Sequence, residues 1–215
     1  MILSNLEIQK ALDNGRLIIE PQPQPRKPEV GKYCPYDTHS VDLKLNSEIT
    51  VPKSGTFVYD LTQSGSLAEL ISKHSEKHIL KKNQPFHLEP QKFILARTLE
   101  KIGLPIGKKP PYLAARIEGK SSRARCGVLV HFTAPTVHPG WEGPLTLEII
   151  NLGPTTFALH SEMPIAQLIV EQVDGQIFQN PSQFKKSQSI YSYSCSSSNS
   201  INTGLLAKSS EFAAR

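Results

Sequence analysis

Short apolar runs divided by proline, glycine and polar breaks make up most of this chain, and a helical period shows only near its start. Ser4 can cap a helix, and Glu7 three residues on completes a capping box. Leu6, Ile8, Ala11 and Leu12 then give an apolar stripe that stops at Asn14 and Gly15. Residues 17–19 predict a short strand. Five prolines, at 21, 23, 25, 28 and 35, make residues 21–36 an extended connection instead of a packed element. From Ser40 to Leu45 polar and apolar residues alternate, the pattern of a half-buried strand. Further strands are predicted at 57–61, 86–88, 92–98, 113–118, 155–159 and 165–173, with a short helix over 67–78 that puts Leu67, Leu70 and Ile71 on one side. So many short strands between Pro and Gly turns predict an all-β sandwich or barrel with small helical additions.

The stretch 119–151 organises the rest. It opens on Gly119-Lys120-Ser121-Ser122, a small basic turn whose hydroxyls, amides and charge suit a phosphate, although such a turn is commonly structural. The Walker A loop that this turn ends like needs a glycine where Ala114 stands, so an NTPase loop is rejected. Arg123 and Arg125 lie two apart, sharing a face on a strand and diverging on a helix; one of them can be plain surface charge. Glu148 interrupts the apolar run of Leu145, Leu147, Ile149 and Ile150, where an unpartnered carboxylate is costly. Such a group has either an Arg partner or a catalytic reason.

Composition adds limits. At 215 residues the chain can hold one domain with a real core, here predicted over 1–184. Residues 185–215 hold ten serines and one acid, Glu211, so they bury too little to offset their ordering entropy. That tail is expected to be disordered or non-native. Net charge is +5, yet acids and bases alternate along most of the chain, which describes a solvated surface and not a nucleic-acid stripe. Cys34, Cys126 and Cys195 form no CxxC pair and are odd in number, as in a reduced cytoplasmic protein. With no run of 18 apolar residues and no signal-peptide pattern, no membrane partner is expected. His74 and His78 stand i, i+4 on the predicted 67–78 helix, but Ser75 occupies the place a zincin gives to Glu, and the P-C-x-x-C of zinc deaminases is absent. The pair reads as a solvated helical face.

Taken together, GKSSRARCG, VHFTAPTVHPGWEGPLTLEIIN and MPIAQLIVEQV resemble the deoxycytidine triphosphate (dCTP) deaminase family, within the superfamily of trimeric deoxyuridine triphosphatases (dUTPases). MILSNLEIQKALDNGRLIIEP, SVDLKL and FILARTLEKIGLP resemble the same family, in its order, over residues 1–184. The resemblance implies a mainly β, distorted β-barrel or jelly-roll-like dUTPase-type fold with short helices, assembled as a homotrimer with sites at subunit boundaries. It implies hydrolytic deamination of dCTP to dUTP and ammonia without zinc, with Mg2+ accompanying the triphosphate. Glu148 matches the proton shuttle, and such double duty implies a carboxyl lifted by its apolar strand. Ser121 and the Ala134 carbonyl match the groups that hold the water, and Arg125 the charge that orients the carboxylate. Lys120, Ser122 and Gln167 match the phosphate side, and Arg123 and Ala124 are further substrate-binding candidates; Thr146 and Leu147 flank sugar and base.

The likeness also has departures. His138 stands where relatives carry an aspartate that meets the deoxyribose hydroxyl, which weakens a diphosphatase reading more than a deaminase one; histidine can still bond that hydroxyl. Thr136 replaces a basic residue. The family's C-terminal lid begins at 180–184 but is not recognisable from Lys185 on, so a slow or silent site is a further expectation. Three readings stand: a dCTP deaminase, a dUTP diphosphatase or bifunctional enzyme, and a silent nucleotide-binding trimer. Which of dCTP, dUTP and dTTP it binds is left open.

Overall fold

The computed structural model describes residues 1–55 and 67–177. The strand expected at 57–61, the lid and the Ser-rich tail, with Cys195, lie outside them. In chain order the elements are α1 (Asn5–Asp13), β1 (Ile18–Glu20), β2 (Ser40–Lys44), β3 (Glu48–Pro52), α2 (Leu67–Lys73), β4 (Ser75–Ile79), β5 (Phe86–Leu88), β6 (Phe93–Gly103), β7 (Tyr112–Gly119), α3 (Ser121–Ala124), β8 (Val128–Val130), β9 (Thr136–Val137), β10 (Glu142–Asn151), β11 (Phe157–Leu159) and β12 (Pro164–Val173).

The fold is mainly β with short helices. One sheet runs β4-β3-β6-β10-β8, with β1 also paired to β6; a second runs β2-β12-β7-β9; β11 and β5 form a small third. The first two sheets meet across a core that includes Leu43, Leu45, Ile49, Ile94, Ile102, Ile117, Leu147, Ile149 and Leu168. Helix α1 starts as expected: Ser4 Oγ accepts the Glu7 amide, a cap whose loss costs about 1 kcal/mol. Ile8 and Ala11 are its buried stripe, while Leu6 is exposed. Gly15, at φ 71°, lets the chain turn out of the helix.

Two expectations need correction. The segment predicted as one helix over 67–78 splits at His74, because residues 75–79 pair with β3, Lys77 facing Thr50 and His78 facing Ile49. Tertiary pairing overrides the local helical period, and His74 and His78 share no helical face. Strand β2 does not alternate either: Ser40, Val41, Asp42 and Leu43 are all buried. The proline-rich 21–36 segment covers its polar side. Pro35 accepts the Asp42 amide at 2.8 Å, and the Tyr33 hydroxyl donates to the Asp42 carboxylate. Strand β3 has no counterpart in the sequence reading.

Candidate functional site

Strand β10 carries the first half of the site. Leu145, Leu147, Ile149 and Asn151 point into the core, so Thr146, Glu148 and Ile150 share the opposite, half-buried face. Its neighbour β6 sets Leu95 opposite Glu148 and Arg97 opposite Thr146. Beside them a pocket lined by Thr50, Ile71, Leu95, Arg97 and Thr146 opens under α2. Thr146 thus stands where a ligand can reach it. Leu147 is fully buried and can offer a ligand only its backbone.

His131 is the residue that sequence reasoning passed over. It follows β8, where its amide donates to the Glu148 carbonyl at 2.7 Å. Its φ of 54° is a conformation that few non-glycine residues adopt and that His adopts more readily than most. There the imidazole spans two acceptors: Nδ1 lies 2.7 Å from Glu148 Oε2, and Nε2 lies 2.7 Å from the Ala134 carbonyl. The Nδ1 contact has the distance of a hydrogen bond but poor alignment, as in a plain ion pair. Two acceptors on two ring nitrogens call for the imidazolium, with a proton on each. Accordingly, although burial pulls the His131 pKa down, Glu148 and the backbone of Ala134 and Thr146 raise it above the ordinary value. Burial pushes the Glu148 carboxyl up, but the His131 contact and charge more than offset this and hold it below the usual carboxylate range. The lifted carboxyl implied by the resemblance is therefore not found: the His131 contact holds Glu148 low. An ionised Glu148 is ready to accept a proton, and the ring lies between the two groups, Glu148 and the Ala134 carbonyl, matched to the attacking water.

The second half gathers where β7 ends. Lys120, Ser121 and Ser122 enter α3, a single turn closed by bonds from the Arg123 and Ala124 amides to the Lys120 carbonyl. Lys120 Nζ lies 2.5 Å from Asp42 Oδ2, with the carboxylate side chain 8% exposed. Arg123 Nη1 is buried without a hydrogen-bond partner, and burial lowers that guanidinium's pKa. Gln167 sits opposite Asp42 in the β12–β2 register and donates to Ser40 Oγ at 3.3 Å. Lys120, Arg123 and Gln167 thus converge around Asp42, which the sequence reading had placed only on a strand. The signal it carried was an acid on an apolar strand, the same signal that singled out Glu148.

Ser121, Ser122, Ala124 and Arg125 are exposed on α3 and its end. Arg125 borders a groove with Cys126, Gly127, Gly153 and Phe157, and makes no ion pair with Glu148 among the described residues. His138 is exposed. The two halves are tied where Gly127 and Gly153 cross. A Cβ on Gly127 would come 2.3 Å from the Gly153 nitrogen, and one on Gly153 would come 2.1 Å from the Cys126 carbonyl. Cys34 and Cys126 are free thiols.

The dCTP deaminase-like family model matches residues 2–173 of this chain. The chain belongs to that family. Among curated relatives, "dCTP deaminase, dUMP-forming" of Dictyoglomus thermophilum is 36% identical over 171 residues, 78% of each chain. The dCTP deaminase of Shewanella sp. strain W3-18-1 is 33% identical over 180 residues, 82% of this chain and 86% of its own. The crystal structure of 2'-deoxycytidine 5'-triphosphate deaminase from Agrobacterium tumefaciens aligns with a TM-score of 0.55 at 18% identity. It covers 87% of this chain and 52% of that one, and shows a shared fold. No helix among the described residues is long and apolar enough to cross a membrane.

Proposed function

We propose that this member of the dCTP deaminase-like family removes the cytosine amine of dCTP by hydrolysis, giving a deoxyuridine nucleotide and ammonia. The observation that carries the reading is Glu148, an ionised carboxylate on a half-buried strand face, beside the turn that carries His131 and the Ala134 carbonyl and beside a pocket. In the proposed reaction Glu148 takes a proton from water as the oxygen bonds to C4, and passes it to ring N3. A second proton then moves from the new hydroxyl to the amine, the C4–N bond breaks, and C4=O forms as ammonia leaves. For water to bridge Glu148 and the Ala134 carbonyl, the His131 ring must first give up both contacts.

Lys120, Ser122, Arg123, Ala124 and Gln167 are assigned to the phosphates, Thr146 and the Leu147 backbone to the sugar and base, and His138 to the deoxyribose hydroxyl. Magnesium would enter with the triphosphate. In this reading its ligands come from phosphate oxygens and water. Ser121 and Arg125, exposed on α3, are assigned to a water and carboxylate completed across a subunit boundary in a homotrimer. Sedimentation at three times the 23.8 kDa chain mass tests that assembly.

The dUMP-forming name of the Dictyoglomus relative supports a second reading in which pyrophosphate also leaves. Incubating the chain with dCTP and separating the products decides between them: dUTP with ammonia supports simple deamination, and dUMP with pyrophosphate the bifunctional route. Binding of dCTP with no turnover would instead leave the silent nucleotide-binding trimer.

A further inference from the structure

Asp42 is a buried carboxylate that the proposed reaction does not use. One oxygen holds Lys120 at 2.5 Å and accepts from the Tyr33 hydroxyl, while the other is buried without a partner. Resting on the phosphate assignment above, we propose that Asp42 is the resident counter-ion of the anion subsite, exchanging Lys120 for bound phosphate, and that Tyr33 makes the exchange affordable.

Lys120 satisfies Asp42. When the ammonium turns to a phosphate, Asp42 would remain as a buried charge with too few donors, which is costly. The Tyr33 hydroxyl stays on the same oxygen and limits that loss. Arg123, with a buried and unpartnered Nη1, is a second cation with a donor still open to an anion. Tyr33 is 54% exposed overall, but desolvation at its hydroxyl and the Asp42 contact push the phenol up, so it remains a donor across the working pH range. The proline-rich 21–36 segment thereby becomes part of the phosphate subsite: Tyr33 is a positioning residue acting through Asp42 on Lys120.

The two side chains should act with opposite sign, which general damage to the fold would not produce. Asp42→Asn removes the competitor and is expected to tighten binding of inorganic tripolyphosphate about threefold to tenfold. Tyr33→Phe is expected to weaken it about tenfold, with kcat for dCTP unchanged and KM following the tripolyphosphate Kd. In the Asp42→Asn background the Tyr33→Phe effect should shrink below about twofold. Isothermal titration of the full chain and its three variants with tripolyphosphate reads this cycle. A weaker Asp42→Asn variant, or a Tyr33→Phe effect of equal size in both backgrounds, overturns the exchange while leaving the phosphate site standing. Wild-type chain that binds neither tripolyphosphate nor dCTP overturns the phosphate assignment itself. Should Asp42→Asn fail to fold, the same cycle through Lys120→Met applies, and a Tyr33→Phe effect that persists there overturns the proposal.

Discussion

The two ends of the candidate site solve one problem with different chemistry. Each holds a charged group assigned above to a ligand, and each meets it with an opposite charge from within the chain. Glu148 is met by His131 across 2.7 Å, and Lys120 by Asp42 across 2.5 Å. The imidazole is a group that a proton can switch, whereas the Lys120–Asp42 pair lies among the residues assigned to phosphate. The Glu148 end can therefore be released by a proton leaving, and the Lys120 end only by a competing anion. A pH change and a salt change should act on opposite ends of one site.

The strongest way to break that contrast is Glu148→Gln. The amide cannot accept the water proton, and deamination should fall about 10³-fold or more while tripolyphosphate affinity stays as it was. Ammonia release from dCTP, measured beside titration of tripolyphosphate, reads both ends at once. Gly153→Ala asks whether the ends are joined mechanically. Its methyl would collide with the Cys126 carbonyl, and a loss of about 3 kcal/mol or more in denaturant unfolding is expected, with activity and anion binding impaired together.

His131→Ala sharpens the proton side. With its partner gone, burial is the largest influence left on Glu148, so the acid limb of kcat/KM against pH should move upward. Stability carries a matching signature. The His131 contribution, from a raised pKa, is complete below its unfolded value near 6.5 and is lost as pH rises through the folded value. The Glu148 contribution, from a lowered pKa, is complete above its unfolded value near 4.5 and is lost as pH falls through the folded one. Thermal melting of the wild-type chain minus that of His131→Ala should thus peak between the two. The smallest effect belongs to Glu100, which is 2% exposed and accepts the Lys44 amide at 2.9 Å. Burial raises its pKa, so ionisation in the folded state is penalised increasingly above the unfolded value. Glu100→Gln keeps the acceptor and should raise Tm by a few degrees at pH 8 and by almost nothing at pH 4, leaving both ends of the site unchanged.

Much of the fold was legible where local signals and packing agree. Ser4, Glu7 and Gly15 mark α1 without help from the rest of the chain, and the alternation of 145–150 gives both strand β10 and its outward, carboxylate-bearing face. Legibility fails where a distant segment decides. Nothing near Asp42 says that Tyr33 and Pro35 will bury it, and nothing near His74 says that β3 will claim residues 75–79. Glu148 could be found because a carboxylate among aliphatic residues is costly wherever the strand lies. His131 could not, because VLVHF continues an ordinary apolar run, and only the left-handed turn at its end aims the ring at Glu148.

The irregularity between Pro144 and Thr146, where β10 slips against β6, has a consequence for how the chain tolerates length changes. Downstream of it, odd positions go inward and even positions outward, so parity alone keeps Glu148 out of the core and Leu147 in it. Removing one residue at that irregularity would exchange the two sets while altering no chemistry. The enzyme would then hide its acid and display its leucine, a failure of counting and not of composition.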